Sequence, residues 1–248
     1  MDEAARLAEW HPEVVLSGTH IGTYGADIGS SLGALVERLV RDVPRARFRL
    51  SSIEATEVDE RLMELLADGA GRVAPHLHAP LQSGSDRILK RMGRHWYTAS
   101  TYARSVERLA ARAHVLGLGA DIIVGFPGES DEDFLATIAL VERLPFTYLH
   151  VFPFSARPGT AATRLADAVP PEVARERSSR LRALAAVKEA AHRASRAGTH
   201  ADAIVIAGPP ARKAMTEDFL TVGVGSGRAR GERFGALLRA DGESLLAV

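Results

Sequence analysis

The sequence predicts an α/β fold in which a parallel, barrel-like sheet is followed by a long helix and a small all-β barrel. Over the first two thirds of the chain, short apolar runs alternate five times with longer stretches of helical period, which is the pattern of a parallel sheet. Small, polar or glycine residues follow each apolar run at once. From residue 170 the composition changes to an Ala- and Arg-rich stretch, and then to short β-like runs separated by glycines.

The predicted strands and helices alternate regularly along the chain. The strands are predicted at 13–16, 48–53, 76–81, 121–124 and 148–152. The helices are predicted at 32–40, 58–66, 85–92, 100–117 and 131–144. A doubly wound open sheet is the alternative to a barrel, and it also binds ligands at the carboxyl ends of its strands. None of the strands is followed by the G-x-G-x-x-G turn of a dinucleotide-binding fold.

The last third of the chain predicts two further units. Pro171 stands where proline favours the first turn of a helix, and Gly198 stands where glycine ends one. Short β-like runs follow at 203–206, 219–224, 234–238 and 245–248. A β-barrel of about 50 residues is large enough for a binding module and too small for a catalytic domain. We therefore expect a main domain at 1–168, a connecting helix at 169–198 and a β-barrel at 199–248.

Composition narrows the classes of function. The 248 residues are 46% hydrophobic and 25% charged, as in an ordinary soluble globular protein. The 31 basic residues equal the 31 acidic ones, so any contact with RNA must come from local patches. The apolar runs fall short of the roughly 20 residues of a membrane span, and the N-terminal segment lacks a secretory apolar core. We expect a cytoplasmic protein without membrane contact.

Cysteine and histidine usage bears on metal and redox chemistry. The chain has no cysteine, which excludes disulfides, thiol nucleophiles and thiolate-bound iron–sulfur clusters within it. His20, His76 and His78 resemble a metal-binding set only superficially, because nothing supplies the remaining ligands at a recognisable spacing. We therefore expect these histidines to belong to the core or its surroundings, and we predict no metal site.

The polar residues after the strands are the candidate site. In a parallel barrel the carboxyl ends of the strands share one face, so these residues are expected to converge. The segment 75–98 is the most informative, because an apolar strand opens into a polar, glycine-containing turn and then a basic helix. Ordinary turn and capping roles compete with binding roles at these positions. The candidates are Thr19, Ser52, Glu54, Gln82, Ser83, Arg94, Gly125, Phe126 and Glu129.

Four motifs carry a resemblance to a known family. HLHAPLQSGSDRILKRMGRHWYT and DIIVGFPGESDEDF, with RLSSIE before them and LHVFPFSARPGTAA after them, resemble the radical S-adenosylmethionine methylthiotransferases. The resemblance is to those that methylthiolate N6-threonylcarbamoyladenosine in tRNA, and it spans nearly all of residues 14–162. The segments AMTEDFLTVGV and GERFGALLRADG are similar to the TRAM domain of that family, which holds tRNA.

The resemblance implies a partial (β/α)6 barrel that binds S-adenosylmethionine at its strand ends. It implies 2-methylthio transfer by radical chemistry, started by a 4Fe-4S cluster, with tRNA as the partner. The nine candidates listed above would then bind the cofactor, with Ser52 and Glu54 near its amino-acid end and with Arg94 able to bind a carboxylate. Basic residues on the long helix and the small barrel would contact RNA phosphates, although charge runs are usually solvated faces. These are Arg180, Lys188, Arg212, Lys213, Arg228 and Arg230.

The sequence departs from the family in one respect. The three-cysteine C-x-x-x-C-x-x-C loop that holds the cluster is absent. We therefore expect a C-terminal part of a longer enzyme that lacks the first barrel strand and is inactive alone. Residues 14–16 would then form an exposed sheet edge, which favours self-association. The alternatives are a non-catalytic tRNA-binding remnant of such an enzyme and, less in keeping with the motifs, an unrelated barrel enzyme acting on a phosphorylated metabolite.

Overall fold

The computed structural model describes residues 1–68, 71–209 and 212–248. Within these ranges seven α-helices occur, α1 Asp2–Ala8, α2 Leu32–Asp42, α3 Glu60–Asp68, α4 Asp86–Arg91, α5 Ala99–Ala110, α6 Asp131–Arg143 and α7 Pro171–Arg196. The strands are β1 Glu13–Leu16, β2 Arg47–Leu50, β3 His76–His78, β4 Gly117–Val124, β5 Tyr148–Pro153, β6 His200–Ala207, β7 Lys213–Met215, β8 Thr221–Val224, β9 Arg233–Asp241 and β10 Ser244–Ala247.

The first five strands form a parallel sheet whose order follows the chain. β1 pairs with β2, and β3 pairs with β4, which pairs with β5. Isolated bridges between Phe48 and Val73 and between Ser52 and His78 join the two groups. The order therefore runs from β1 to β5 without the reversal that defines a doubly wound sheet. The α/β prediction is confirmed.

The two faces of this sheet differ in chemistry, because side chains alternate along a strand. Leu77, Leu118 and Ile122 are fully buried and lie in the main apolar core with residues of α3, α5 and α6. The opposite, inner face carries polar and aromatic groups. They are Glu13 on β1, Arg47 and Arg49 on β2, His76 and His78 on β3, Asp121 on β4, and Tyr148 and His150 on β5.

Short polar residues begin the helices that follow the strands. The Ser31 hydroxyl accepts a hydrogen bond from the Ala34 amide at the start of α2, and the Ser85 hydroxyl accepts one from the Ile88 amide at α4. Capping boxes start α5 at Thr98 and α6 at Ser130. Each cap satisfies backbone N–H groups that have no partner inside the helix. These caps fix where α2, α4, α5 and α6 begin.

Two predicted boundaries near residue 117 are wrong, the end of a helix and the start of the strand predicted at 121–124. The helix expected to reach residue 117 ends at Ala110, and Gly117 instead opens β4. Gly117 lies against the main-chain carbonyl of Asp218, and Gly119 lies against the ring of Tyr148, so close that a Cβ on either glycine would collide. These glycines serve close approach inside a strand rather than the end of a helix.

The C-terminal strands close into a small barrel in the order β10-β8-β7-β6-β9. Its own core contains Ala203, Val205, Val222 and Leu238. The small closed barrel is confirmed, and β7 is a strand that the sequence pattern did not predict. α7 runs before this barrel and packs along β5 and β4. Among the described residues, no helix is both long and apolar enough to cross a membrane.

The small barrel covers the amino-terminal end of the parallel sheet. Arg47 donates to the Asp202 carbonyl at 2.7 Å, and Arg49 donates to the Thr216 and Glu217 carbonyls, both at 3.1 Å. The Phe219 ring stacks on His76 with a centroid distance of 4.4 Å. Arg47 and His76 are the first residues of β2 and β3. The contacts therefore close this end of the sheet.

Candidate functional site

A cavity lies at the carboxyl ends of β1 and β2, at the opposite end of the sheet from the small barrel. Its volume is about 300 Å³, at the lower end of the range for small-molecule sites. It is formed by the turns that follow β1, β2 and β3 and by the loop after α4. Its lining is Gly18, Thr19, His20, Ile21, Ser52, Ile53, Glu54, Glu57, Pro80, Arg94 and Trp96.

Glu54 and Arg94 are the charged pair of this cavity. Arg94 donates from Nη1 to Glu54 Oε1 at 2.7 Å, and its guanidinium lies 5.6 Å from the centre of the Trp96 ring. The other carboxylate oxygen, Glu54 Oε2, is buried and has no hydrogen-bond partner among the described residues. A buried acceptor without a donor is costly, so this oxygen suits a ligand that donates hydrogen bonds.

Glu57 adds a second carboxyl group to the cavity wall. Partial burial and the neighbouring charge of Glu54 raise the pKa of Glu57 above its ordinary value. Two carboxyl groups near each other disfavour double ionisation. A cationic group on a bound ligand would relieve that repulsion.

The predicted cofactor residues divide into two groups in space. Thr19, Ser52, Glu54 and Arg94 line the cavity together. Gln82 continues the line of β3, pairs with Ile122 in a parallel bridge and has a positive φ of 67°. Such a φ is uncommon outside glycine. The remaining predicted residues lie at the ends of β3 and β4, where they bond to the protein itself.

Ser83, Gly125, Phe126 and Glu129 have structural partners. The Ser83 hydroxyl is buried and accepts a hydrogen bond from the Ser85 amide at 3.2 Å. Glu129 accepts one from the Gly125 amide at 2.7 Å. Phe126 meets the Phe154 ring edge-on at 5.1 Å. These contacts lie within the protein, and a role of the four residues toward a cofactor stays a prediction.

Glu129 is also held by the long helix. Its Oε2 accepts a hydrogen bond from Arg177 Nη1 on α7 at 2.8 Å. Burial raises the pKa of Glu129 above its ordinary value, although the Gly125 amide and the charge of Arg177 work in the opposite direction. The pair anchors α7 to the loop after β4.

The six predicted RNA-contacting residues differ in exposure. Arg180, Lys213 and Arg230 are exposed, and Arg212 is half-buried. Lys188 caps α6 by donating to the carbonyls of Glu142 and Leu144, and Arg228 pairs with Glu232 and covers the Phe234 ring. Lys188 and Arg228 therefore make contacts within the protein that the sequence did not predict.

The sequence pattern missed two clusters on the inner face of the sheet. The first consists of Glu13, Arg47 and Arg49. The Glu13 carboxylate accepts hydrogen bonds from Arg47 Nε at 2.6 Å and from Arg49 Nε at 2.8 Å. The second is His78, Asp121 and His150, which lie side by side on three strands. The sequence signal that could have revealed these clusters is the presence of polar residues at alternate positions of apolar strands. This signal does not specify which strands are neighbours in the sheet.

Comparison with known families agrees with this fold. A model of the Radical SAM superfamily matches residues 1–141, more than half of the chain. The chain therefore belongs to the Radical SAM superfamily. The solved structure of coproporphyrinogen III oxidase (HemN) from Escherichia coli, a radical SAM enzyme, matches with a TM-score of 0.50 and 18% identity over 63% of this chain and 37% of that chain. This likeness concerns the fold alone.

Curated relatives narrow the resemblance. Threonylcarbamoyladenosine tRNA methylthiotransferase MtaB of Thermotoga maritima is 41% identical over 70% of this chain and 40% of that protein. The MtaB of Aquifex aeolicus is 36% identical over 85% of this chain and 50% of that protein. A tRNA-2-methylthio-N(6)-dimethylallyladenosine synthase of Staphylococcus epidermidis is 38% identical over 73% of this chain and 35% of that protein. The predicted resemblance to the methylthiotransferases is confirmed, and the chain spans half or less of these relatives.

The superfamily uses S-adenosylmethionine and 4Fe-4S clusters, and the residues present fit only the first. The cavity offers the unpartnered oxygen of Glu54, the guanidinium of Arg94 and the ring of Trp96, which suit a polar nucleoside or amino-acid group. The chain contains no cysteine, and imidazoles and carboxylates are poor substitutes for cluster thiolates. The chain's own residues therefore do not fit the cluster.

Proposed function

We propose that this chain acts in the 2-methylthiolation of N6-threonylcarbamoyladenosine in tRNA. The observation that carries the proposal is its 36–41% identity to three threonylcarbamoyladenosine tRNA methylthiotransferases. Relatives that act on a dimethylallyl-modified adenosine are 38–40% identical, so the choice of modified base is the finer part of the proposal. The partial (β/α)6 barrel and the TRAM-like character of the small barrel belong to the same proposal.

This chain's part would be to hold and orient S-adenosylmethionine, while radical chemistry on it would need an electron from a cluster that this chain's own residues do not hold. We assign the amino-acid end of S-adenosylmethionine to the cavity between Glu54 and Arg94. Glu54 Oε2 is buried and unpartnered among the described residues, so it accepts from the α-ammonium group. Arg94 presents a guanidinium that suits the α-carboxylate. Thr19 and Ser52 offer hydroxyl groups on the same wall.

The other predicted cofactor residues extend this assignment along the sheet. Gln82 and Ser83 end β3, and Gly125, Phe126 and Glu129 follow β4. Because parallel strands end at one edge, a cofactor lying across that edge passes from the Glu54 cavity toward them. We propose that Gly125 and Phe126 approach the adenine, while Glu129 holds the loop.

RNA contact is assigned to the exposed cations of α7 and the small barrel. Arg180, Lys213 and Arg230 are exposed, and phosphate contacts made by such residues weaken steeply with salt. The edge strand β1 adds a proposal of self-association, because Val15 is 55% exposed and edge strands pair readily with other chains.

Isothermal titration of the 248-residue chain with S-adenosylmethionine tests the cofactor site. We expect Glu54→Gln to raise the Kd at least tenfold, because the ammonium loses its anionic partner. Glu60→Gln is the matched control, since Glu60 pairs with exposed arginines outside the cavity. An equal Kd in Glu54→Gln and wild type would overturn the assignment.

Filter binding with tRNA separates the leading function from its alternative. The missing cysteines favour a non-catalytic tRNA-binding protein as the second candidate. We expect the double variant Lys213→Ala and Arg230→Ala to weaken tRNA binding and reduce its salt dependence. Persistent tRNA binding with no S-adenosylmethionine response would favour the second candidate. Loss of both responses would reject both functions.

A further inference from the structure

Three side chains on adjacent strands meet on the inner face of the sheet. His78 ends β3, Asp121 lies within β4, and His150 lies within β5. The register places Asp121 directly opposite His150, and His78 opposite Gly119, two residues before Asp121. Consecutive strands therefore bring two imidazoles and one carboxylate to a single point.

The three ligand atoms have a spacing that suits a metal ion. His78 Nε2 lies 3.2 Å from Asp121 Oδ1, and a ring nitrogen of His150, Nδ1, lies 3.2 Å from the same oxygen. One ligand atom from each residue lies within 4.8 Å of the other two. Ligands bound at about 2.0–2.2 Å from a first-row metal are separated by about 3.0–3.5 Å. A small contraction around the ion would complete the set.

Tyr148 orients one of the two imidazoles. Its hydroxyl lies 3.1 Å from His78 Nδ1, the ring nitrogen that faces away from Asp121. It also lies 2.8 Å from His76 Nε2. When His78 Nδ1 donates its proton to this hydroxyl, Nε2 carries the lone pair that a metal requires. Metal-binding histidines regularly have such a partner on the second nitrogen.

One side of the cluster is buried in the protein, and the other side is exposed. His78 is 9% exposed and is fixed by its neighbours. The His150 side chain is 54% exposed and that of Asp121 is 26% exposed, so an ion reaches them from the inner space of the sheet. Three protein ligands leave coordination positions for water or another small molecule.

We propose that His78, Asp121 and His150 form a binding site for a divalent first-row transition-metal ion. Two imidazoles with one carboxylate are the donor set of catalytic zinc sites and of mononuclear non-haem iron(II) sites. The site is distinct from the Glu54 cavity and needs no cysteine. It stands independently of the proposed tRNA function.

Equilibrium dialysis of the tag-free chain against Zn²⁺, with the bound metal quantified, tests this site. We expect one equivalent in the wild type, and a Kd at least tenfold higher in Asp121→Asn and in His150→Gln. His114→Gln is the matched control, because His114 is exposed and outside the cluster. Circular dichroism of each variant checks that it is folded.

A further variant separates coordination from general surface binding. Tyr148→Phe keeps all three ligands but removes the partner of His78, and a loss of about 10–100-fold in affinity is expected. Titration with Co²⁺ should change the visible spectrum of the ion in wild type and His114→Gln, but not in Asp121→Asn. Absence of stoichiometric uptake, or equal uptake by wild type, Asp121→Asn and His150→Gln, would overturn the proposal.

Discussion

Arg49 is the side chain whose removal should most weaken the junction between the parallel sheet and the small barrel. It is buried and donates to both carboxylate oxygens of Glu13 and to the carbonyls of Thr216 and Glu217. In the variant Arg49→Met a flexible apolar chain replaces the guanidinium. Four acceptors then lose a charged donor at once.

The magnitude follows from these contacts. Removing one partner of a buried ion pair costs about 3–5 kcal/mol, because the remaining charge stays buried. Glu13 keeps Arg47 at 2.6 Å, so we take the lower end, about 3 kcal/mol. With a urea m-value of about 3 kcal/mol/M for a chain of this size, the unfolding midpoint should fall by about 1 M.

Urea unfolding followed by far-UV circular dichroism measures this shift. Arg61→Met is the control, because Arg61 pairs with Glu37 at 3.3 Å on the surface and both side chains are about half exposed. Exposed pairs of this kind contribute about 0–1 kcal/mol. If Arg49→Met and Arg61→Met unfold at the same urea concentration, the network does not hold the two parts together.

Three further outcomes are expected. Burial, followed by the charge of Arg49, lowers the pKa of His76 from 6.5 to about 3. The contribution of neutral His76 to the free energy of unfolding is complete above pH 6.5 and should fall by up to about 1.4 kcal/mol per pH unit as the pH drops from 6.5 to 3. Urea titrations at several pH values should therefore show a flatter dependence of stability on pH in His76→Phe. Gly117→Ala forces a Cβ against the Asp218 carbonyl, so thermal unfolding should reveal a loss of about 1–3 kcal/mol, whereas unchanged stability would contradict this packing. Tyr102→Phe deletes the buried hydroxyl that donates to the Ala79 carbonyl at 2.7 Å, which should cost about 1 kcal/mol or more in urea; no loss would show that this carbonyl finds another donor.

The parallel sheet could be predicted because its signal is local. Each outward-facing strand residue must pack under a helix, so apolar residues recur within a few positions of one another. The signal for several helix starts is equally local, since Ser85, Thr98 and Ser130 cap helices that start within one residue of them. Part of the candidate site followed from this, and Thr19, Ser52, Glu54 and Arg94 do line one cavity.

The remaining features depend on contacts between distant segments. Gly117 resembled the end of a helix, because the Asp218 carbonyl that explains it lies far away in the sequence. β7 has only three residues and acquires its identity by pairing with β6 and β8. The register between β4 and β5 places Asp121 beside His150, and no spacing along the chain specifies that register.

The position of the small barrel limits the routes by which small molecules reach the inner face of the sheet. Phe219, whose backbone is strained at a φ of 71°, stacks on His76 and closes the amino-terminal end of the sheet. Helices pack on the outer face of the sheet. For the described residues, a small molecule can then reach the inner face from the carboxyl ends of the strands, where the Glu54 cavity lies, or past the edge strands β1 and β5. The His150 side chain is 54% exposed and stays accessible from the inner face. Occupation of one of the two sites therefore does not require prior occupation of the other.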